Sequence, residues 1–291
     1  MRFRGSIVAV ITPFRNGKVD EPALRDLIEW QIANGTDGIV PCGTSGESAT
    51  LTYEEHSRVI EFTVQTVKRR IPVIAGTGSN STEEAIALTR HAQKAGADAA
   101  LLISPYYNKP TQEGLYQHHK AIAEAVDLPQ ILYNIPGRTS VNVMPQTVAR
   151  LAKIRNIVGI KEGAGSLQQV CDIVRLCDED FTVLSGDDAL TLPMLAVGAK
   201  GVITVTANVA PADMSAMVHA WEADNTAKAR ALHYKLYPLF NALFLETNPI
   251  PVKHAVALMG KCAPELRLPL CAMSNENLDK LTQTMKDLKL I

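Results

Sequence analysis

The run Ile157-Val158-Gly159-Ile160 leads directly into Lys161-Glu162. Its length and composition predict a buried β-strand. The lysine at its end would lie against apolar neighbours, where desolvation disfavours the charged ammonium form. A free amine can attack a ketone and form a Schiff base. Because most lysines at strand ends are solvated or paired, this run alone leaves both interpretations open.

Seven similar apolar runs occur elsewhere in the chain, with helical patterns between them. Continuous apolar runs are typical of strands that are covered on both faces in a parallel sheet. Eight strand-helix units predict an α/β fold of the TIM (β/α)8 barrel type. An open doubly wound sheet is the alternative, but the Gly-rich turn expected after its first strand is missing. The predicted strands are Ile7–Ile11, Gly38–Pro41, Val73–Ala75, Ala99–Ile103, Gln130–Tyr133, Ile157–Ile160, Phe181–Leu184 and Gly201–Val205.

Segments between the first strands carry apolar residues at helical spacing. Mainly helical patterns also continue from about Pro211 to Ile291, beyond what the barrel requires. We therefore predict a barrel over residues 1–224 and a C-terminal helical appendix over residues 225–291. The predicted helices are Glu21–Ala33, Tyr53–Arg69, Thr82–Lys94 and Gln112–Ala125, with Asp20, Thr52 and Ser81 as N-caps.

The composition favours work on small molecules. The 291 residues are 46% hydrophobic and 5% aromatic, which suits a large aliphatic core. A net charge of −1 without a basic face predicts no binding of nucleic acid. We see no signal peptide and no membrane-spanning stretch, and expect a cytoplasmic protein. Five cysteines without C-x-x-C spacing and seven scattered histidines predict neither disulfides nor a metal site.

The active site of a TIM barrel lies at the carboxyl ends of the strands. Polar residues that follow the apolar runs are therefore the candidates for function. They are Thr12, the loop Gly43-Thr44-Ser45-Gly46-Glu47, Gly76–Gly78, Ser104–Asn108, Tyr133-Asn134, Arg138, Lys161-Glu162, Ser185–Asp188 and Thr206–Asn208.

Several of these residues suit the chemistry of a Schiff base. The backbone amides and hydroxyls of the Gly43–Glu47 loop can bind a carboxylate, although a self-capped turn has the same composition. Tyr133 can carry protons, helped by the hydroxyls of Thr44 and Tyr107, but each tyrosine can equally be a packing residue. Arg138 can bind a substrate carboxylate through two parallel hydrogen bonds, or be an ordinary surface arginine.

Three motifs together resemble the pyruvate-dependent class I aldolase superfamily and, within it, the dihydrodipicolinate synthase family. They are Gly43-Thr44-Ser45-Gly46-Glu47, Tyr133-Asn134-Ile135-Pro136-Gly137-Arg138-Thr139 and Gly159-Ile160-Lys161-Glu162. The resemblance implies a lyase in which Lys161 forms a Schiff base with pyruvate. The resulting enamine would attack L-aspartate 4-semialdehyde, the first committed step toward diaminopimelate and lysine. No cofactor is implied beyond this covalent link.

The resemblance also implies roles for individual residues. Tyr133, Thr44 and Tyr107 would form a proton relay, with Tyr107 reaching in from a neighbouring subunit of a homotetramer built as a dimer of dimers. Ser45, where the family commonly has threonine, would bind the pyruvate carboxylate. Arg138 would bind the semialdehyde carboxylate. The backbone carbonyls of Gly186 and Ile203 would line the site.

Members of the family that lysine inhibits bind it at a subunit interface. Glu84 would pair with its ammonium group, and Asn80 and Tyr106 would bind its carboxylate. Tyr53 replaces a histidine of some sensitive members. The complete matching set is Ser48, Ala49, Tyr53, His56, Asn80, Glu84 and Tyr106.

Two other functions remain open. A sister aldolase, such as N-acetylneuraminate lyase or a 2-keto-3-deoxy sugar acid aldolase, would share Lys161, Tyr133 and the Gly43–Glu47 loop. Arg138 favours a short acidic aldehyde over a polyol chain, because a cation suits a carboxylate better than hydroxyls. A catalytically silent keto-acid or amino-acid binding barrel is the second alternative. It is disfavoured by the intact set of reactive residues.

Overall fold

Eight parallel strands form a closed barrel in the computed structural model, which describes residues 3–291. Neighbouring strands along the chain pair with one another, and the first also pairs with the eighth. The second and third strands complete the ring through a bridge between Ile39 and Val73. The predicted TIM barrel is thus confirmed. Its strands are Gly5–Ala9, Gly38–Val40, Ile74–Gly76, Ala99–Ile103, Gln130–Asn134, Ile157–Glu162, Thr182–Ser185 and Gly201–Thr204.

The strand bounds differ from the predicted ones at a few ends. The sixth strand continues through Lys161 and Glu162, because these residues pair with Tyr133 and Asn134 of the fifth. The first strand ends before Ile11, whose backbone amide donates instead to the side chain of Asn208 at 3.0 Å. A short antiparallel hairpin, Phe14–Arg15 with Lys18–Val19, was not predicted, because strands of two residues show no periodicity.

Helices surround the barrel and begin where their caps predict. Asp20 accepts from the Ala23 amide at 3.1 Å, Thr52 forms a capping box with Glu55, and Ser81 caps the third helix. The α-helices are Glu21–Ala33, Tyr53–Val67, Thr82–Ala95, Gln112–Ala125, Pro136–Thr139, Pro145–Leu151, Leu167–Leu176, Thr191–Ala196, Pro211–Glu222, Thr226–Ala242, Ile250–Leu258 and Asn275–Asp287. Short 3-10 turns cover Ser48–Thr50 and Thr206–Asn208.

The last three helices pack onto the barrel. Their buried side chains, such as Phe240, Val252 and Met285, belong to the same apolar cluster as Ile28 of the first barrel helix. They therefore lie close enough to contribute residues to a site at the carboxyl ends of the barrel strands. The division at residues 224 and 225 stays a prediction. No helix within residues 3–291 has the length and apolar character required to span a membrane.

Candidate active site

A cavity opens at the carboxyl ends of the barrel strands, where the sequence predicts the active site. An apolar cluster fills the barrel beneath it and includes Ile7, Ile131 and Leu184. The cavity walls bring together most of the predicted catalytic and substrate-binding residues. These are Thr44, Ser45, Tyr133, Arg138, Lys161 and Gly186.

Lys161 and Tyr133 are the central pair of this cavity. They are register partners on neighbouring parallel strands, so their side chains point to the same side of the sheet. The Lys161 Nζ lies 4.1 Å from the centroid of the Tyr133 ring. Both residues are buried, with exposures of 5% and 6%, yet both line the cavity. An amine and a phenol are thereby placed side by side where a small ligand can reach them.

Glu162 follows Lys161, and its side chain lies on the opposite face of the strand. Its carboxylate accepts from Asn134 Nδ2 at 3.0 Å, the Ala164 amide at 2.6 Å and Gln169 Nε2 at 3.1 Å. Burial raises the pKa of the Glu162 carboxyl. This network fixes the strand end beside Lys161. The sequence gives one indication of this network. Asn134 directly follows Tyr133, and Glu162 directly follows Lys161, so the two polar residues are register partners when Tyr133 and Lys161 are.

The carboxylate-binding candidates lie on two loops that meet at Asn248. Ser45, in the Gly43–Glu47 loop, is buried, and its hydroxyl is 3.1 Å from Asn248 Nδ2. Arg138, in the turn Pro136–Thr139, donates from Nη2 to the backbone carbonyl of Asn248 at 3.0 Å. Arg138 is an exposed residue overall and lines the cavity. No role for Asn248 follows from the sequence, because its partners lie far away along the chain.

A second cavity adjoins the first and holds most of the residues predicted to bind lysine. They are Ser48, Ala49, Tyr53, His56, Glu84 and Tyr106. Asn80 does not line it, but its side chain donates to the carbonyl of Tyr106 at 3.2 Å. Thr44, Ser48, His56 and Arg138 are among the residues that border both cavities.

Glu84 is the charged residue of the predicted lysine-binding set that lines this second cavity. Ser79 and Tyr53 both donate hydrogen bonds to its carboxylate. These bonds hold the pKa of Glu84 below its ordinary value, and the same contact raises the pKa of Tyr53. Burial lowers the pKa of His56 to about 4, so this ring is neutral near pH 7. The second cavity thus presents an anionic carboxylate whose hydrogen-bond partners are the neutral hydroxyls of Ser79 and Tyr53.

Two predicted residues lie outside the first cavity. Tyr107 is 90% exposed and does not line its own chain's cavity. Ile203 is buried in the barrel interior, where it pairs with Ile7, and Val205 lines the cavity nearby. Their predicted roles stay predictions. Within residues 3–291, no three His, Cys, Asp or Glu side chains are grouped as a metal site would require.

Known proteins resemble this chain along its whole length. Residues 2–288 match the model of the dihydrodipicolinate synthetase family. A 4-hydroxy-tetrahydrodipicolinate synthase of Syntrophus aciditrophicus is 65% identical over 99% of both chains. The dihydrodipicolinate synthase structure from Aquifex aeolicus superposes with a TM-score of 0.98, at 53% identity and 99% coverage of both chains. The enzyme from Cyanidioschyzon merolae with lysine bound gives 0.96, at 41% identity and full coverage of both. The chain belongs to the dihydrodipicolinate synthetase family.

Proposed function

We propose that this chain is a 4-hydroxy-tetrahydrodipicolinate synthase, a lyase that condenses pyruvate with L-aspartate 4-semialdehyde. One observation carries the proposal: the buried amine of Lys161 lies beside the Tyr133 phenol in a cavity that also contains Ser45 and Arg138. The family and its relatives carry the same activity in their names. The product enters the synthesis of diaminopimelate and lysine.

The proposed reaction begins at the ketone of pyruvate. The Lys161 amine adds to C2, and loss of water gives a Schiff base. Removal of a C3 proton gives an enamine, whose C3 forms the new carbon-carbon bond with the aldehyde carbon of the semialdehyde. The aldehyde oxygen takes up a proton. The amino group of the semialdehyde then attacks C2 and displaces Lys161, which closes the ring. One water is released overall, and the Schiff base itself accepts the electron pair, so no cofactor is required.

The surrounding residues suit the proton transfers and the charges of both substrates. The Lys161 amine lies over the Tyr133 phenol ring, and Thr44 lines the same cavity. Ser45 and the loop amides would bind the pyruvate carboxylate in the interior. Arg138, on the cavity wall, would bind the carboxylate of the substrate that arrives second. A sister aldolase for a polyol chain would leave this cation without a partner.

Intact mass after incubation with pyruvate and sodium borohydride tests the proposal. We expect one reduced pyruvyl group per chain, located on Lys161 by peptide mapping. Turnover with L-aspartate 4-semialdehyde should then greatly exceed turnover with sugar-derived aldehydes. An unmodified chain would identify a silent binding protein, and a preference for sugar aldehydes would identify a sister aldolase.

Tyr107 supports a proposal about assembly. Its φ of 71° is unusual for a residue with a Cβ, and the conformation persists although the ring is exposed. Asn108 holds this turn, because its amide donates to the Tyr106 carbonyl at 2.9 Å and its side chain to the Asn80 carbonyl at 2.9 Å. A phenol held outward in this way can complete a neighbouring chain's site. We therefore propose a homotetramer, a dimer of dimers, in which Tyr107 acts across an interface.

Mixing two inactive variants tests the role of Tyr107. Lys161→Ala and Tyr107→Phe chains, dissociated and reassembled together, should recover about a quarter of wild-type turnover, because half of the random pairs would contain one intact site. Each variant reassembled alone is the control. If Tyr107 served its own chain, the mixture would be no more active than the two controls.

We further propose that L-lysine inhibits the enzyme by binding in the second cavity. The Cyanidioschyzon merolae relative carries lysine, and here the Glu84 carboxylate can pair with an ammonium group. Tyr53 already donates to Glu84 and would share this carboxylate with the ligand. As a cytoplasmic biosynthetic enzyme, which the five free cysteines suit, the protein would meet lysine as an end product.

Glu84→Gln is expected to raise the lysine concentration for half-inhibition about 10-fold or more, because the charged partner of the ammonium is lost. Inhibition is measured as the ratio of initial rates with and without lysine for each enzyme. Glu83→Gln is the matched control, since Glu83 is exposed and does not line the cavity. Equal inhibition of Glu84→Gln and wild type would remove Glu84 from the site. If lysine left the wild-type rate unchanged and calorimetry detected no binding, the regulatory proposal would be abandoned.

A further inference from the structure

We propose that Asn248 is a positioning residue that aims the Ser45 hydroxyl at the pyruvate carboxylate. The inference rests on the proposed function and extends it to a residue of the C-terminal region. Asn248 lies outside the eight strand-helix units, between the helices Thr226–Ala242 and Ile250–Leu258, yet it lines the active-site cavity.

The direction of the hydrogen bond between Ser45 and Asn248 carries the inference. The Ser45 Oγ is 3.1 Å from Asn248 Nδ2 and 3.4 Å from Oδ1, so the shorter contact has the amide donating. A serine hydroxyl has one hydrogen to donate and two lone pairs. When Asn248 occupies a lone pair, the single hydrogen is available to the ligand. Both side chains are buried, so water competes little for this bond.

The loop that carries Ser45 needs such support. Cys42, just before the loop, and Glu47, its last residue, have φ values of 54° and 53°, a region that residues with a Cβ seldom adopt. Such conformations persist where the surroundings hold them. Thr12 donates to the Gly46 carbonyl at 2.7 Å, and the fully buried Lys253 pairs with Glu47.

Lys253 and Asn248 belong to the same C-terminal segment. Lys253 lies in the helix Ile250–Leu258, and its amine also lies 4.1 Å from the centroid of the Phe14 ring. The Glu47 carboxylate accepts in addition from the Arg267 amide at 3.2 Å. The C-terminal region thus holds the end of the loop through Lys253 and the hydroxyl within it through Asn248.

The way Arg138 contacts Asn248 predicts that a substitution of Asn248 affects one substrate and not the other. Arg138 bonds to the backbone carbonyl of Asn248, whereas Ser45 bonds to the side chain. A side-chain substitution therefore removes the support of the pyruvate site and leaves the Arg138 acceptor in place. Asn248 variants should therefore weaken the binding of pyruvate far more than the binding of the semialdehyde.

Borohydride trapping over a range of pyruvate concentrations tests this role without the second substrate. For Asn248→Ala we expect the half-saturating pyruvate concentration to rise about 10-fold. In steady-state assays, kcat and the KM for the semialdehyde should change less than about 3-fold. Asn248→Asp should raise the pyruvate requirement further, because its carboxylate takes the Ser45 hydrogen and repels the substrate. This variant has nearly the same shape as wild type, so it remains informative if the alanine variant folds poorly.

A double-mutant cycle separates positioning from general support of the fold. If Asn248 acts through Ser45, the double variant Ser45→Ala/Asn248→Ala should have a half-saturating pyruvate concentration only slightly above that of the more impaired single variant. Asn277→Ala is the matched control, because this amide of the C-terminal region bonds to Glu246, away from the loop. The inference would be overturned if the increases in half-saturating pyruvate concentration of the two single variants multiplied in the double variant. It would also be overturned if Asn248→Ala and Asn248→Asp needed the same pyruvate concentration for trapping as wild type. No adduct on the wild-type chain would instead overturn the proposed function.

Discussion

Lys161→Ala is expected to lower kcat by about 10⁴-fold or more, because no second amine among the described residues lines the cavity to form the Schiff base. Lys161 is the lysine that lines this cavity among the described residues, and its amine lies next to Tyr133. The variant should also gain no mass with pyruvate and borohydride. Turnover and intact mass are measured on the same preparation, with circular dichroism to check the fold.

Lys200→Ala is the matched control for this loss. Lys200 precedes the eighth strand, at the opposite end of the barrel from the cavity, and its side chain is exposed. Its removal should leave both trapping and turnover near wild type. Substantial activity in Lys161→Ala, or an adduct at another lysine in the wild-type chain, would contradict the assigned role. The prediction therefore tests the position of Lys161 and not merely the presence of an amine.

Most of the fold could be predicted because its signals are local. Each barrel strand is buried on both faces, so it is visible as an apolar run such as Ala99–Ile103. Helix starts were equally visible, since Thr52 and Glu55 lie three residues apart and cap each other. Helix ends were harder to place. The helix after Thr52 ends at Val67, because Lys68 turns into the left-handed region with a φ of 52°.

The candidate site could be predicted in part, for a related reason. Residues at strand ends, such as Tyr133 and Lys161, follow from the barrel's geometry once the strands are known. Asn248 reaches Ser45 across 203 positions of the chain, and no periodicity signals such a pair. Lys253 offered a better signal, since it is a charged residue within the apolar run Ile250–Val256. A buried charge of this kind implies a partner, which is Glu47, but does not identify it.

Arg138→Ala is expected to lower kcat/KM for L-aspartate 4-semialdehyde by about 100-fold or more, because a charge-assisted contact with its carboxylate is lost. The KM for pyruvate should change less than about 3-fold, since Ser45 and the loop amides bind the first carboxylate. Steady-state kinetics with each substrate varied in turn measure both effects. Borohydride trapping with pyruvate alone should remain close to wild type.

Two comparisons decide whether Arg138 acts as a carboxylate ligand. Arg150→Ala is the control, because Arg150 lies over the ring of Tyr116 and bonds to Glu113, away from the cavity. Arg138→Lys keeps the charge but not the planar pair of donors, so it should recover only part of the activity. An equal loss for both substrates would contradict the assignment, because Arg138 also bonds to Asn248 and would then act by supporting the cavity wall. Selective loss for the semialdehyde would show that this cavity recognises a short acidic aldehyde.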